Sequence, residues 1–234
     1  MAGEPMKVAV ALLTYNRCDY LERTISSLAD AGGEYDIFVY DNGSTDETRR
    51  YLANCAEFFM FEGLGFNNTD NHTAGYGMNR VIEMARGAKP DIILFTADDY
   101  RYRKGWFAKF LDFWTHAPDD VKLASLNIEP AYQWNAITER VEYGGQRAII
   151  RATVGGSNWS FRADDLDLIY PLREITGGED LEICRRLTGN GHRIAALNLT
   201  DHIGEFASCW GNRSWEYAQP LPADIREWVE INDS

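Results

Sequence analysis

The chain has 234 residues, 45% of them hydrophobic, which suits one large α/β domain or one domain with a small lobe. A formal net charge of −13 disfavours a surface built to wrap nucleic-acid phosphates, although Arg101, Arg103 and Lys104 make a local basic patch. The four cysteines (Cys18, Cys55, Cys184, Cys209) show neither CxxC spacing nor a disulfide framework. No long apolar segment with basic flanks opens the chain, so a reduced, cytoplasmic setting without leader or membrane anchor is expected.

In chain order, Lys7–Leu13 reads as a buried strand. Asp19 stands where a helix N-cap belongs, with Glu22 three residues on. Leu21, Ile25 and Leu28 share one face, and Gly32-Gly33 stop the helix. Asp36–Tyr40 is a second strand, and Ser44 with Glu47 repeats the capping-box pattern before a helix through Thr48–Ala53. Phe58–Phe61 is expected as the third strand. Met78, Val81, Ile82 and Ala85 mark another helix, ended near Gly87 and Pro90, and Asp91–Phe95 supplies the fourth strand. This βαβα order predicts a mostly parallel, doubly wound sheet, whose ligands collect at the carboxyl ends of the strands. Asp41 and Asp99 both fall there.

The second half is less regular. Trp106–Trp114 is an aromatic-rich helix ended by Pro118, and Thr138–Tyr143 and Gln146–Ala152 flank the turn Gly144-Gly145 as a β-hairpin. After Gly155-Gly156 comes the strand Asn158–Arg162. A helix begins near Gly178-Glu179-Asp180, with Leu181, Cys184 and Leu187 spaced on one face. With no repeat, low-complexity tract or linker, the chain reads as one domain over 1–234, a nucleotide-binding half over about 6–105 and an acceptor half over about 106–234.

Chemistry gathers first at Asp98 and Asp99, which end the apolar run Ile92-Ile93-Leu94-Phe95-Thr96-Ala97. Neighbouring carboxylates repel unless a cation neutralises them. Hard divalent ions such as Mg²⁺ or Mn²⁺ prefer oxygen ligands and enter together with substrate phosphates. A turn or a helix cap accounts for an Asp pair too, so the pair alone leaves both readings open. The exit of the first strand, Leu13-Thr14-Tyr15-Asn16-Arg17, lacks GxGxxG, which argues against an ordinary dinucleotide-binding enzyme. Asp41 nevertheless ends the second strand, placed to accept a hydrogen bond from a ribose or a nucleobase N–H.

Val8–Thr48, with Thr14-Tyr15-Asn16-Arg17 and Asp41-Asn42-Gly43-Ser44-Thr45-Asp46, resembles the opening of the family-2 glycosyltransferases. Three later segments are similar in the same order. These are the Gly/Asn-rich Asn71–Asn79, Thr96-Ala97-Asp98-Asp99 at the place of the DxD motif, and Gly177-Gly178-Glu179-Asp180-Leu181-Glu182 at that of the Glu-Asp motif. The likeness covers about residues 6–205. It implies a GT-A fold, a Rossmann-like three-layer sandwich with a small mixed β/α acceptor-side region, binding a nucleoside-diphosphate sugar. Ala97 replaces the middle acid of a three-aspartate motif. No Gln-x-x-Arg-Trp of processive synthases occurs, so transfer of a single sugar is implied.

The resemblance also distributes roles. Asp99 would hold the metal, Mn²⁺ or Mg²⁺, with His202 as a second ligand. Asp98 would touch ribose or support Asp99. Thr14, Tyr15, Arg17, Asp41, Asn42, Asn79 and Gly156 would contact a UDP-sugar donor. Asp180 would be the base that deprotonates a hydroxyl acceptor with inversion, and Glu179 would orient that acceptor. An acid at a helix N-terminus is stabilised as the anion, which lowers its basicity, and plain capping explains Glu179 and Asp180 as well. Arg80 and Arg101, like Arg17, could meet the diphosphate. Aromatic residues of Tyr132–Trp134 and Trp210–Tyr217 could stack on sugar, on a base, or within the core. The alternatives are a nucleotidyltransferase of related fold and a noncatalytic nucleotide-sugar or glycan binder.

Overall fold

All seven residues of Val8–Thr14 (β1) are buried, as expected of a strand covered on both faces. The computed structural model describes residues 5–58, 60–128, 131–132, 137–155, 157–175, 178–204, 218–219 and 222–230. After β1 come α1 (Cys18–Ala31), β2 (Asp36–Asp41), α2 (Thr48–Glu57), β3 (Gly63–Phe66), α3 (Ala74–Gly87), β4 (Ile92–Ala97) and the short β5 (Tyr100–Tyr102). The chain continues through α4 (Trp106–His116), β6 (Val121–Ser125), β7 (Ala131–Tyr132), β8 (Ile137–Tyr143), β9 (Gln146–Arg151) and β10 (Asn158–Arg162). The last elements are α5 (Leu166–Ile169), α6 (Glu179–Gly189), β11 (Arg193–Ala196), β12 (Thr200–His202), β13 (Ala218–Gln219) and α7 (Ala223–Glu230).

One sheet runs through both halves in the order β3-β2-β1-β4-β10-β6-β11-β9-β8. From β3 to β4 every pairing is parallel, the doubly wound pattern expected of the front half. Beyond β4 the pairings are antiparallel except for that of β11 with β6, which is parallel. Along β1, successive side chains part to opposite faces, as a strand's two-residue period requires. Ala9, Ala11 and Leu13 pack with α3, α5, α6 and α7. Val8, Val10 and Leu12 pack with α1, α2 and the aromatic α4. The result is three layers, in which each fully buried Leu or Ile contributes about 1.5–3 kcal/mol.

The third strand lies later than the sequence suggests. Helix α2 continues through Glu57, and Phe58 closes it with its side chain 77% exposed. The strand is instead Gly63-Leu64-Gly65-Phe66, which hydrophobic patterning passes over. Its glycines let β3 lie under the rings of β2. A Cβ on Gly63 would stand 2.7 Å from Phe38, and one on Gly65 2.8 Å from Tyr40. Neither expected capping box forms, and the reason is tertiary. The exit loops of β1 and β2 lie side by side and satisfy each other. Cys18 N–H donates to Asp46 Oδ2 (3.3 Å), and Asn16 N–H donates to Ser44 Oγ (2.8 Å). On α6 the buried face is Ile183, Cys184 and Leu187, with Leu181 only half-buried.

Candidate active site

Parallel register brings the ends of β1, β2 and β4 level: Thr14 pairs with Asp41, and Leu13 with Ala97. The next two residues after β4, Asp98 and Asp99, are 2% and 3% exposed, so their charges are closed in by protein. Three groups from the β1 exit fix Asp98. Thr14 Oγ1 donates to its Oδ2 at 2.6 Å, Tyr15 N–H to the same oxygen at 3.4 Å, and Arg17 Nη1 to Oδ1 at 3.2 Å. Arg17 Nη1 also donates to Asp99 Oδ2 at 2.6 Å, and His202 Nε2 meets that same oxygen at 3.1 Å. The guanidinium thus bridges both carboxylates. Thr14, Tyr15, Arg17, Asp98, Asp99 and His202, six of the residues expected at the site, converge on one point.

The backbone beneath is held as firmly. Thr24 on α1 donates from Oγ1 to Asp98 O (2.8 Å) and accepts from Tyr100 N–H (3.2 Å). Thr24 was not anticipated. Its signal is a polar residue amid the apolar face Leu21, Ile25 and Leu28, which buries it completely. Across the ribbon of β5 and β12, His202 pairs with Tyr100, and Ile203 N–H donates to Asp99 O (2.8 Å). The chain then passes so close that a Cβ on Gly204 would lie 2.6 Å from Asp99 Oδ2.

Electrostatically the two acids separate. Burial and the neighbouring Asp99 charge push the Asp98 carboxyl up to about 7, against the pull of Arg17 and Thr14. Burial would also raise Asp99, but the His202 hydrogen bond and the Arg17 charge outweigh it and hold that carboxyl below its usual range. Burial opposes the Arg17 charge, and the two aspartates more than offset this, raising its pKa. Asp99 is therefore the standing anion, which is what a cation site needs. Its Oδ1 is buried without a hydrogen-bond partner, a free lone-pair acceptor beside an imidazole. Carboxylate oxygen with imidazole nitrogen suits Mn²⁺. Among the described residues no three His, Cys, Asp or Glu side chains cluster to hold a metal. A metal here would take its remaining ligands from a substrate and water, as Mg²⁺ and Mn²⁺ sites do with phosphates.

The other expected residues have different duties. The Asp41 carboxylate is completely buried, taken by Ser44 N–H (3.1 Å) and Arg49 Nε (2.8 Å), while Arg49 Nη2 also donates to Asn67 O. Asn42 spends its amide N–H groups on Asn71 Oδ1 and His72 O, both at 3.0 Å, tying down the loop before α3. Asn79, expected at the donor, faces the backbone of another segment. Both ends of its amide clamp the backbone of Leu172, donating to O and accepting from N–H at 2.9 Å each. Gly75 completes that seam, for a Cβ there would meet Arg173 O at 2.0 Å. The Gly/Asn-rich helix α3 is thus a packing device that fixes the segment leading into α6. Asp180 begins α6, half-buried, with Oδ1 accepting Leu181 N–H at 2.7 Å, and Glu179 is buried beside it. Arg80 lies over the Tyr76 ring, and Arg101 pairs with Asp201. Gly156 and the aromatics Trp134 and Trp210–Tyr217 lie outside the described residues.

The profile of "Glycosyl transferase family 2" matches residues 9–156, well over half the chain. The chain belongs to that family. Its fold is shared by solved structures at low sequence identity. The crystal structure of GalNAc-T7 with UDP, GalNAc and Mn²⁺ superposes with TM-score 0.68 at 14% identity, over 91% of this chain and 46% of that one. TarS 1–349 of S. aureus gives 0.61 at 19%, over 82% and 58%. The mannosyltransferase PcManGT of Pyrobaculum calidifontis, in complex with GDP-Man and Mn²⁺, gives 0.61 at 15%, over 88% and 59%. At such identities the likeness establishes the fold, a GT-A architecture. The chain spans about half the length of these solved proteins.

Proposed function

We propose that this family-2 protein is an inverting glycosyltransferase that moves one sugar, of hexosyl type, from a nucleotide-diphosphate sugar to a hydroxyl acceptor. The observation that carries the reading is the buried Asp99 at the end of β4, shared by Arg17 and His202 through Oδ2 and with Oδ1 left unpartnered. Membership of the family supports the activity. UDP as the donor nucleotide draws support from the similar GalNAc-T7 and TarS structures that contain it, while PcManGT contains GDP-Man. No helix among the described residues is long and apolar enough to cross a membrane.

Asp99 and His202 would hold a divalent metal, which when bound acts as Lewis acid on the departing diphosphate. Asp98, braced by Thr14 and Tyr15, would face the ribose. Asp41 would act on the nucleoside side by holding Arg49 and the turn at Ser44, since its own oxygens are taken. Asn42 would shape the same pocket by fixing the loop at Asn71–Thr73. Asp180 would accept the proton of the acceptor hydroxyl as it attacks the anomeric carbon, in one displacement that inverts that centre. Glu179 would orient the acceptor. Binding tests this before any acceptor is known: thermal unfolding with UDP, GDP, their sugars and Mn²⁺ should show a joint shift from nucleotide plus metal. Absence of any shift across that panel contradicts the reading.

A further inference from the structure

The acidic pair already has a cation. Arg17 Nη1 lies 2.6 Å from Asp99 Oδ2 and 3.2 Å from Asp98 Oδ1, with only 15% of the arginine side chain exposed. Its backbone cannot drift, because Arg17 O accepts the Leu21 and Tyr20 amides (2.9 and 3.1 Å) that open α1. The Tyr20 ring, 5.6 Å from the guanidinium carbon, supports the head group from one side. Yet the fit is incomplete. Arg17 Nη2 is buried without a hydrogen-bond partner, although guanidinium presents a fork of donors suited to paired anionic oxygens. The oxygen Arg17 grips most closely belongs to the acid assigned to the metal. A divalent ion entering beside a guanidinium would meet like-charge repulsion in a site closed from water. A diphosphate removes that conflict, since it brings negative charge for both cations.

We propose that Arg17 is a resident counter-ion of Asp98 and Asp99 that yields Asp99 to the metal only when a nucleoside diphosphate arrives to take the guanidinium, so that metal and nucleotide enter together. The inference rests on Asp99 as metal ligand. Arg17 is then a positioning residue in the donor-free protein and a diphosphate ligand in the loaded one. Coupling of this kind is reciprocal: nucleotide strengthens metal binding by the factor by which metal strengthens nucleotide binding.

The experiment is an electron paramagnetic resonance titration of Mn²⁺, with and without UDP and with a protein-free Mn²⁺–UDP blank, repeated with GDP. Wild type, Arg17→Met, Arg17→Lys and Asp99→Asn are compared, each checked for folding by circular dichroism. In the wild type, nucleotide should tighten Mn²⁺ binding by about tenfold or more. Arg17→Met, which keeps the stem and removes the charge, should bind Mn²⁺ about tenfold more tightly than wild type without nucleotide, and the gain from UDP should shrink accordingly. Arg17→Lys should fall between, because a point charge cannot bridge both acids. A merely structural arginine would not raise metal affinity when removed. If Arg17→Met leaves donor-free Mn²⁺ binding unchanged or weaker while Asp99→Asn abolishes it, the inference is overturned and the metal reading stands. Undiminished Mn²⁺ binding by Asp99→Asn overturns both. Should Arg17→Met fail to fold, Arg17→Lys decides: tighter donor-free binding supports the inference, and equal or weaker binding overturns it.

Discussion

The proposed donor side and the proposed acceptor side of this molecule hold their carboxylates by different means. Asp98 and Asp99 leave a buried parallel strand and are braced from β1, α1 and β12 by Thr14, Arg17, Thr24 and His202. Asp180 stands half-buried near the head of a helix, where its Oδ1 accepts the Leu181 amide. The acidic pair is held by side chains from distant elements, and Asp180 is carried at a helix terminus that follows the segment clamped from α3. Charge stabilisation needs fixed groups in a dry site, whereas a base must meet acceptors of varied shape. The contrast fits that division of labour.

Each side can be broken separately. The largest effect is expected from Asp180→Asn, which should lower transfer by about 10²–10⁴-fold while leaving nucleotide affinity within about twofold. Steady-state kinetics with isothermal titration reads both numbers, and unchanged turnover would move the base elsewhere. The seam between the two sides is next. Asn79→Leu leaves Leu172 N–H and O without partners and should cost about 1–3 kcal/mol in urea unfolding. An unaltered midpoint would show that α3 does not carry the acceptor segment.

The smallest effect is a slope. Unfolded Asp98 ionises near 3.8 and the folded, metal-free carboxyl near 7, so the folded state holds an extra proton between those values. Its contribution to stability is full below about 4 and declines as pH rises through about 7. Asp99, lowered, adds the opposite slope only below its ordinary range. Asp98→Asn should therefore flatten the fall of Tm between about pH 4 and 7 relative to wild type. Parallel Tm–pH curves for the two proteins would refute the assignment.

Periodicity made most of the front half legible, because α1, β1, β2, α3 and β4 bury clean apolar patterns. It failed at β3, where a strand half made of glycine has almost no hydrophobic signal and Phe58, its expected start, points to solvent. Strand ends pointed to the acidic pair and the family resemblance to His202, and the structure sets His202 Nε2 against Asp99. What sequence could not supply were partners distant in the chain. Arg17 reaches Asp99 across 82 residues, Thr24 holds Asp98 across 74, and Asn79 clamps Leu172 across 93. Asp41 shows the reverse case: the right place in the sequence, with its oxygens already engaged by Ser44 and Arg49.

The central claim is that Asp99 serves a metal-assisted departure of nucleoside diphosphate. Its most direct measurement is the release of UDP or GDP from a panel of nucleotide sugars by wild type and Asp99→Asn, with Mn²⁺ and with chelator. Wild type with Mn²⁺ should release nucleoside diphosphate, and removing either Asp99 or the metal should lower release at least about a hundredfold. Release that continues undiminished in Asp99→Asn would contradict the claim.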